Sequence, residues 1–425
     1  MPNKNIVILG AGYGGVRAAQ QLSSILNESE YKVILINKNE YHTFMTQLYQ
    51  PAAGTKNLDD VMVPINEIIN KHKVSFIKGT VDSIDLKNKL VKVNNGEIML
   101  SYEYIINALG NQPEFFGIEG LKENSISLNS LNNAGRIWCR IEKILEELSS
   151  LPKDKRNEKI TTFVVGGGGL TGVEFAGQLA HQLQQVGQKH NIEEHEYRII
   201  LVEGSNHLLP GMSNSIYNYA HEKLEELGVE VVTGDLIKKA TRNTIYLASG
   251  REIAYDSFVW AGGIRGNRVA SESGMKTDPR DRVVVNRYLQ YVEDSSVYVI
   301  GDSALAIDPK TGEPVIATAQ AAIQQGTAAA YNIYADIKGG RKREYRPSMI
   351  FLLIHVGPSQ AAGEAINKLN QLKLKGNYAA WLKNLIPLKY NYMLGGLKRM
   401  LGKPKLGKPK RDNIKYQLHN CNNYK

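Results

Sequence analysis

Short, unbroken apolar runs that end in glycine alternate along this chain with stretches whose apolar residues recur every three or four positions. Ile6-Val7-Ile8-Leu9 has the β-branched, continuously apolar character of a parallel strand buried on both faces. It enters Gly10-Ala11-Gly12-Tyr13-Gly14-Gly15, and Val16 to Leu22 then reads as a helix. Lys32-Val33-Ile34-Leu35-Ile36 predicts the next strand. The unit recurs: Thr162-Phe163-Val164-Val165 leads into Gly166-Gly167-Gly168-Gly169-Leu170-Thr171-Gly172, a helix from Val173 to Leu179, and a strand, Ile199 to Val202, that ends in Glu203. Val297-Tyr298-Val299-Ile300 runs into Gly301-Asp302. Ile105-Ile106-Asn107-Ala108-Leu109-Gly110 and Val259-Trp260-Ala261-Gly262-Gly263 read as strands closing in small-residue turns. This alternation predicts an α/β fold with parallel sheets.

The glycine spacing adds chemistry. Gly10, Gly12 and Gly15 stand in the pattern G-x-G-x-x-G, as do Gly167, Gly169 and Gly172. In a strand–turn–helix unit the first Gly makes the tight turn, the second lets backbone approach a pyrophosphate, and the third lets helix and strand pack closely. The helix N-terminus then offers free N–H groups and a positive dipole end to phosphate. Two such turns imply two Rossmann-like domains and two dinucleotides. An acid is expected at the tip of the second strand to hold a ribose. The first unit has Asn37-Lys38 there, and an Asn side chain still bonds a ribose hydroxyl. The second has Glu203, about 31 residues past Gly172, beyond a lengthened polar stretch at 184–196. A carboxylate accepts from a ribose 2′-OH and repels a 2′-phosphate, which favours NADH over NADPH. The Gly301-Asp302 segment is placed where two-dinucleotide flavoproteins return to their first domain.

Near the C-terminus the period is helical. Tyr378, Trp381, Leu382, Leu385 and Ile386 form one apolar stripe, interrupted by Pro387, and Met393, Leu394, Leu397, Met400 and Leu401 form a second. Nine Lys/Arg and no acid lie between Trp381 and Arg411. Charge sharpens this picture. The whole chain of 425 residues carries +10, from 52 Lys+Arg and 42 Asp+Glu, which by itself invites nucleic acid. From Asp336 onward there are 19 basic residues and four acids, leaving 33 and 38 before it. An acidic body therefore carries a basic amphipathic foot suited to an anionic lipid surface. No aromatic–basic interleaving suggests RNA, and the nine histidines, His42 among them, show no metal-ligand spacing. No run of about 18 apolar residues predicts a membrane span, and the first strand begins too early for a signal peptide, so the chain is expected to stay where it is made. Only Cys139 and Cys421 are present, 282 positions apart, which supports no disulfide framework.

With these motifs in place the chain resembles the type II NADH dehydrogenases, the single-subunit NADH:quinone oxidoreductases that do not pump protons, from about residue 5 to about residue 402. The marks are Asn37-Lys38-Asn39-Glu40-Tyr41-His42, Pro51-Ala52-Ala53-Gly54-Thr55, Phe116-Gly117-Ile118-Glu119-Gly120-Leu121, Leu170-Thr171-Gly172-Val173-Glu174, Trp260-Ala261-Gly262-Gly263-Ile264-Arg265-Gly266-Asn267 and Thr318-Ala319-Gln320-Ala321-Ala322-Ile323-Gln324-Gln325-Gly326. The resemblance implies an FAD domain at 1–112 and 285–335, an NADH domain at 113–284 and a membrane-anchoring region at 336–425. It places FAD at Gly10, Ala11, Gly12, Tyr13, Gly14, Gly15, Asn37, Lys38, Thr46, Val81, Asp302, Ala319 and Gln320, and NADH at Gly167, Gly169, Gly172 and Glu203. Hydride would pass from NADH to flavin N5, and two electrons then to a membrane quinone, menaquinone or ubiquinone, at Gln320, Gln324 and Lys368. Gln320 and Gln324, at i and i+4, share one helical face. Glu174 matches the family's catalytic acid and is expected in the first turn of its helix, delivering protons or positioning the nicotinamide. No metal is expected. A homodimer, peripheral on the cytoplasmic face of a bacterial cell membrane, completes what the resemblance implies. Sulfide:quinone oxidoreductases share the architecture but need a redox pair of cysteines beside the flavin, and the sequence has only Cys139 and, in the terminal tail, Cys421. NADH:ferredoxin-type reductases are the remaining alternative, disfavoured by the tail.

Overall fold

The computed structural model describes residues 4–27, 30–156, 160–348, 351–365 and 372–401. Four helices carry the candidate site residues: α1 (Tyr13–Ile25), α2 (Leu170–His190), α3 (Ala319–Lys338) and α4 (Gly376–Leu401). The chain forms two compact units, the first from residues 1–43, 62–112 and 264–350, the second from 44–61, 113–263 and 351–425. By this division residues 264–284 join the first unit and the C-terminal segment joins the second from residue 351, where the sequence reading drew its lines at 284 and 335. Among the described residues the C-terminal strands pack within the second unit, where Ala361, Ala379 and Ala380 bury their methyls in one small cluster with Leu353 and Leu374.

The first unit is built on a six-stranded sheet in the order 290–291, 294–299, 104–107, 4–9, 31–37, 74–78. All neighbours are parallel except 290–291 on 294–299. Register sets Ile6 beside both Val33 and Tyr104, and Val297 beside Ile105. Ile6, Val7, Ile8 and Leu9 are fully buried. A buried aliphatic side chain of this size contributes roughly 1.5–3 kcal/mol, which is why the unbroken apolar runs become central strands. The return strand Asp294–Val299 brings Gly301 and α3 back to α1, with Gly326 so close that a Cβ there would lie 2.4 Å from the Gly14 carbonyl oxygen.

The second unit repeats the plan with five parallel strands in the order 126–127, 257–260, 161–166, 197–202, 229–232. Every residue of Thr161–Gly166 is buried. A separate antiparallel sheet, 351–355, 361–365 and 373–375, leads into α4.

The first unit also contains a three-stranded antiparallel sheet, Val81–Asp85, Leu90–Val93 and Ile98–Ser101.

Helix α4 departs from expectation at its break. Pro387 lies inside the helix, lacking only the N–H for the carbonyl of Lys383 one turn back, and the interruption falls instead at Gly395-Gly396, where Gly396 has φ +69°. Met393 and Leu394 therefore belong to the long first segment and not to a second helix.

Candidate functional site

The first glycine turn is organised by backbone. Gly10 has φ +97°, a conformation that L side chains rarely adopt, and its N–H donates to Ile36 O at 2.8 Å. A Cβ on Gly15 would sit 1.9 Å from Gly10 O, so only glycine lets α1 start this close to the strand. At Gly12 a Cβ would meet nothing within 4 Å, leaving open space over the N-terminus of α1. Free N–H groups facing such a space fit a pyrophosphate. Asn37 does not simply wait for a ribose: its Oδ1 accepts from Ala11 N–H at 3.0 Å and its Nδ2 donates to Asn39 O at 2.8 Å. Lys38 beside it is exposed.

Asp302 is brought into the same unit by the return strand and is held by Asn111, whose Nδ2 donates to Asp302 Oδ2 at 2.6 Å. Burial pushes the Asp302 carboxyl above its ordinary range, opposed by the Asn111 bond. Asp302, Gly301, Thr318, Ala321, Gln325 and Arg282 line one cavity at the start of α3. Thr318 caps that helix by accepting from Ala321 N–H at 3.1 Å, which sets Ala319 and Gln320 at its first turn. Gln320 and Gln324 are both half-buried on α3. Gln324 Oε1 accepts from Ser348 N–H at 2.9 Å, and the fully buried neighbour Gln325 accepts from Gly301 N–H at 2.6 Å. Val81 is buried at the head of the strand Val81–Asp85, within the first unit. Thr46 is exposed and belongs to the second unit. Lys368 lies outside the described residues.

The second turn repeats the first nearly atom for atom. Gly167 has φ +105°, a Cβ on Gly172 would lie 1.8 Å from Gly167 O, and one on Gly169 would meet nothing within 4 Å. Glu203 closes it: Oε2 accepts from Gly168 N–H at 2.6 Å and Oε1 from Ser205 N–H at 2.7 Å. A carboxylate has further lone pairs for ribose hydroxyls, and its charge is fixed in place by these two donors.

Glu174 is the fifth residue of α2, beyond its first turn, which contains no acid. The expectation of a first-turn carboxylate is corrected accordingly, because the helix opens at Leu170. What holds Glu174 is tertiary. Its Oε1 accepts from Lys383 Nζ of α4 and from His355 N–H at 3.2 Å. Lys383 also donates to Leu353 O at 2.5 Å. Glu174 is only 6% exposed, and burial pushes its carboxyl upward against the lowering pull of Lys383 and His355 N–H. His355 is buried too. Burial, with the Lys383 and Lys56 ammoniums in support, pulls its imidazole down to about 4, so it is neutral at physiological pH. Burial drives the Tyr49 phenol well up, reinforced by the Glu174 charge, and the Tyr49 and His355 rings lie 6.4 Å apart. Lys56 is lowered by burial and donates to Gln47 Oε1 at 3.1 Å. A buried carboxyl raised above its ordinary range and bonded to an ammonium has the chemistry a proton-handling group needs.

Sequence reading finds Glu174 and misses Lys383, His355, Tyr49 and Asn111. In the sequence Lys383 is one more charge of the basic foot. A signal for it exists: it falls in step with Ala379, Ala380, Tyr390 and Leu394, off the bulky stripe. Ala379, Ala380 and Leu394 are buried, whereas Tyr378, Trp381, Leu385, Ile386, Leu388 and Tyr392 are exposed, Trp381 by 56%. Helix α4 thus turns its alanine face inward and its large apolar residues outward. No described helix is long and apolar enough to cross a membrane.

Comparison with known proteins agrees with this geometry. Residues 4–326 match the pyridine nucleotide-disulphide oxidoreductase family. The chain is 31% identical over 400 residues to a type II NADH:quinone oxidoreductase of Staphylococcus aureus strain MSSA476, covering 93% of this chain and 96% of the relative. Among solved structures, NDH2 of Plasmodium falciparum in complex with NADH superposes with a TM-score of 0.80 at 18% identity, covering 91% of this chain and 94% of that one. The sulfide:quinone oxidoreductase of Aquifex aeolicus superposes with a TM-score of 0.76 at 22% identity, covering 92% and 91%. At these identities the two structures share the fold, and only that.

Proposed function

This chain belongs to the type II NADH:quinone oxidoreductases, and from that premise we propose that it oxidises NADH at its second glycine turn and reduces a membrane quinone, with FAD held at its first turn. The observation that carries this reading is the pair of open turns, Gly10–Gly15 and Gly167–Gly172, one on each parallel sheet. Gly10, Gly12, Gly15, Asn37, Asp302 and the start of α3 would hold FAD, which supplies two-electron carriage between nicotinamide and quinone when bound. Gly167, Gly169, Gly172 and Glu203 would hold NADH, and the Glu203 carboxylate would exclude the 2′-phosphate of NADPH. The net reaction, NADH plus quinone plus one proton giving NAD⁺ and quinol, takes up a proton at each turnover. Glu174 and Lys383 support a route for it: the carboxyl, raised by burial and held by the Lys383 ammonium, would take up a proton and pass it on, the net charge of the pair changing by one at each step. Gln320 and Gln324 remain our candidates for the quinone end.

The outward apolar stripe of α4 supports docking on an anionic membrane, on the face where the protein is made, since it leaves Tyr378 and Trp381 exposed at the end of a helix flanked by lysines. Two copies per particle, as the family resemblance implies, are checked by light scattering on the purified protein. The direct test of function is spectral. Purified protein should be yellow, bleach with NADH and recover with a quinone; a preparation that stays colourless after incubation with FAD would overturn the reading. Replacing Trp381 and Leu385 with Ser should abolish co-sedimentation with anionic vesicles while leaving FAD bound.

A further inference from the structure

His42 is a buried histidine with no part in the proposed electron or proton transfer. It is fully buried at the centre of the short strand Tyr41–Thr43, paired with Val63, and its ring meets that of Tyr13 edge-on at 5.1 Å. Its Nδ1 lies 2.8 Å from the carbonyl oxygen of Ala11. A carbonyl only accepts, so Nδ1 carries the proton and donates. That carbonyl is half of the peptide joining Ala11 to Gly12. A trans peptide is planar and sends its N–H opposite to its C=O. Holding Ala11 C=O toward the imidazole therefore points Gly12 N–H the other way, and Gly12 is the residue with open space around it. The preceding peptide is fixed as well, by Asn37 on Ala11 N–H.

The second turn makes the same bond with a different donor. Gly168 takes the place of Ala11, its N–H is bound by Glu203, and its carbonyl accepts from the backbone N–H of Leu209 at 2.8 Å. Leu209 has φ +54°, the left-handed region, to present that N–H. One turn is thus oriented by a loop backbone and the other by an imidazole. The recurrence marks the carbonyl bond as part of the turn's working geometry and not as incidental packing.

From this we propose that His42 is a positioning residue for the cofactor: by donating from Nδ1 to Ala11 O it aims the Gly12 N–H at the pyrophosphate of FAD. The inference rests on the reading of the first turn as the FAD site. Three variants of the full chain test it, with FAD affinity measured by flavin fluorescence and the thermal melting of the FAD-free protein measured alongside. His42→Leu removes the donor and should weaken FAD about tenfold or more. His42→Asn places an amide N–H near the position of Nδ1 and should bind within about threefold of wild type. His42→Gln carries its amide one bond further out, near the position of Nε2, and should weaken FAD like His42→Leu. Melting of the FAD-free forms of His42→Asn and His42→Gln should agree within a few degrees, which separates cofactor positioning from general packing. If His42→Leu does not fold, the Asn and Gln pair decides. FAD affinity unchanged in His42→Gln, or lost equally in His42→Asn and His42→Gln, overturns the role of His42. Wild-type protein that binds no FAD at all would instead overturn the reading of the first turn, leaving the two failures distinguishable.

Discussion

The two glycine turns share a backbone and differ in what finishes them. Both begin with a left-handed glycine, bring a third glycine within 2 Å of the first one's carbonyl at a would-be Cβ, and leave the middle glycine open. The first is completed by a side-chain amide, Asn37, and an imidazole, His42, bonded to the N–H and the C=O of Ala11. The second is completed by a carboxylate, Glu203, and a backbone amide, Leu209. A resident cofactor needs a site that holds it and has no second nucleotide to reject. A substrate that arrives and leaves, and must be told from its phosphorylated form, calls for a charge. The second unit also carries the buried Glu174–Lys383 pair.

The largest effects come from breaking each turn separately. Gly15→Ala forces a Cβ to 1.9 Å from Gly10 O, and Gly172→Ala one to 1.8 Å from Gly167 O, overpacking of about 1–3 kcal/mol or more that backbone has to absorb. Gly15→Ala should yield colourless protein, whereas Gly172→Ala should stay yellow and require at least about tenfold more NADH to bleach. Absorbance and NADH titration check both, and the reverse pattern would exchange the two assignments.

Glu174→Gln should lower kcat by about 10²–10⁴ if the carboxyl moves the proton. FAD content and bleaching by NADH should stay normal while quinone-dependent recovery slows, as stopped-flow spectroscopy would show.

His355 gives the second unit an acid weakness. Its folded imidazole is pulled down to about 4 from 6.5, so below about pH 6.5 the unfolded state takes up a proton that the folded state refuses, and stability falls with pH through that window. Glu174, raised by burial, has the opposite sign: its contribution is present at low pH and is lost as pH rises through its folded value. His355→Asn isolates the first effect. The drop in unfolding free energy between pH 7 and 4.5, read from urea melts, should shrink by about 2–3 kcal/mol in the variant.

The smallest contrast is at the strand tips. Glu203→Ala leaves two backbone N–H groups without their charged acceptor, about 1–3 kcal/mol, and should raise the KM for NADH and narrow the preference over NADPH. Asn37→Ala at the equivalent tip removes only neutral hydrogen bonds, about 0.5–1.5 kcal/mol, and should weaken FAD by less than Glu203→Ala weakens NADH. Equal effects at both tips would dissolve the distinction drawn between the sites.

Much of this is legible in the chain. Gly10–Gly15 and Gly167–Gly172 can be placed between strand and helix because tight turns and close packing admit only glycine there, a constraint local in sequence. The stripe on α4 is visible for the same reason: helical period is local. Lys383 is legible only as a lysine on the alanine side of that helix; that it meets Glu174 is not, since the two are 209 positions apart. His42 reads only as one of nine histidines without metal-ligand spacing, because its bond to Ala11 spans 31 positions. Pro387 looks like a break and is carried within the helix, while Gly396 makes the break.

By itself, then, the sequence determined the elements, the two nucleotide turns and the outward apolar helix, all governed by spacings of a few residues. Tertiary structure alone decided which groups meet: Lys383 on Glu174, Asn111 on Asp302, the imidazole of His42 on the Ala11 carbonyl. The physical reason is range. Propensity and period act along the chain over one or two turns, whereas burial, which raises the Glu174 carboxyl and keeps His355 neutral, exists only once distant segments have packed around the group.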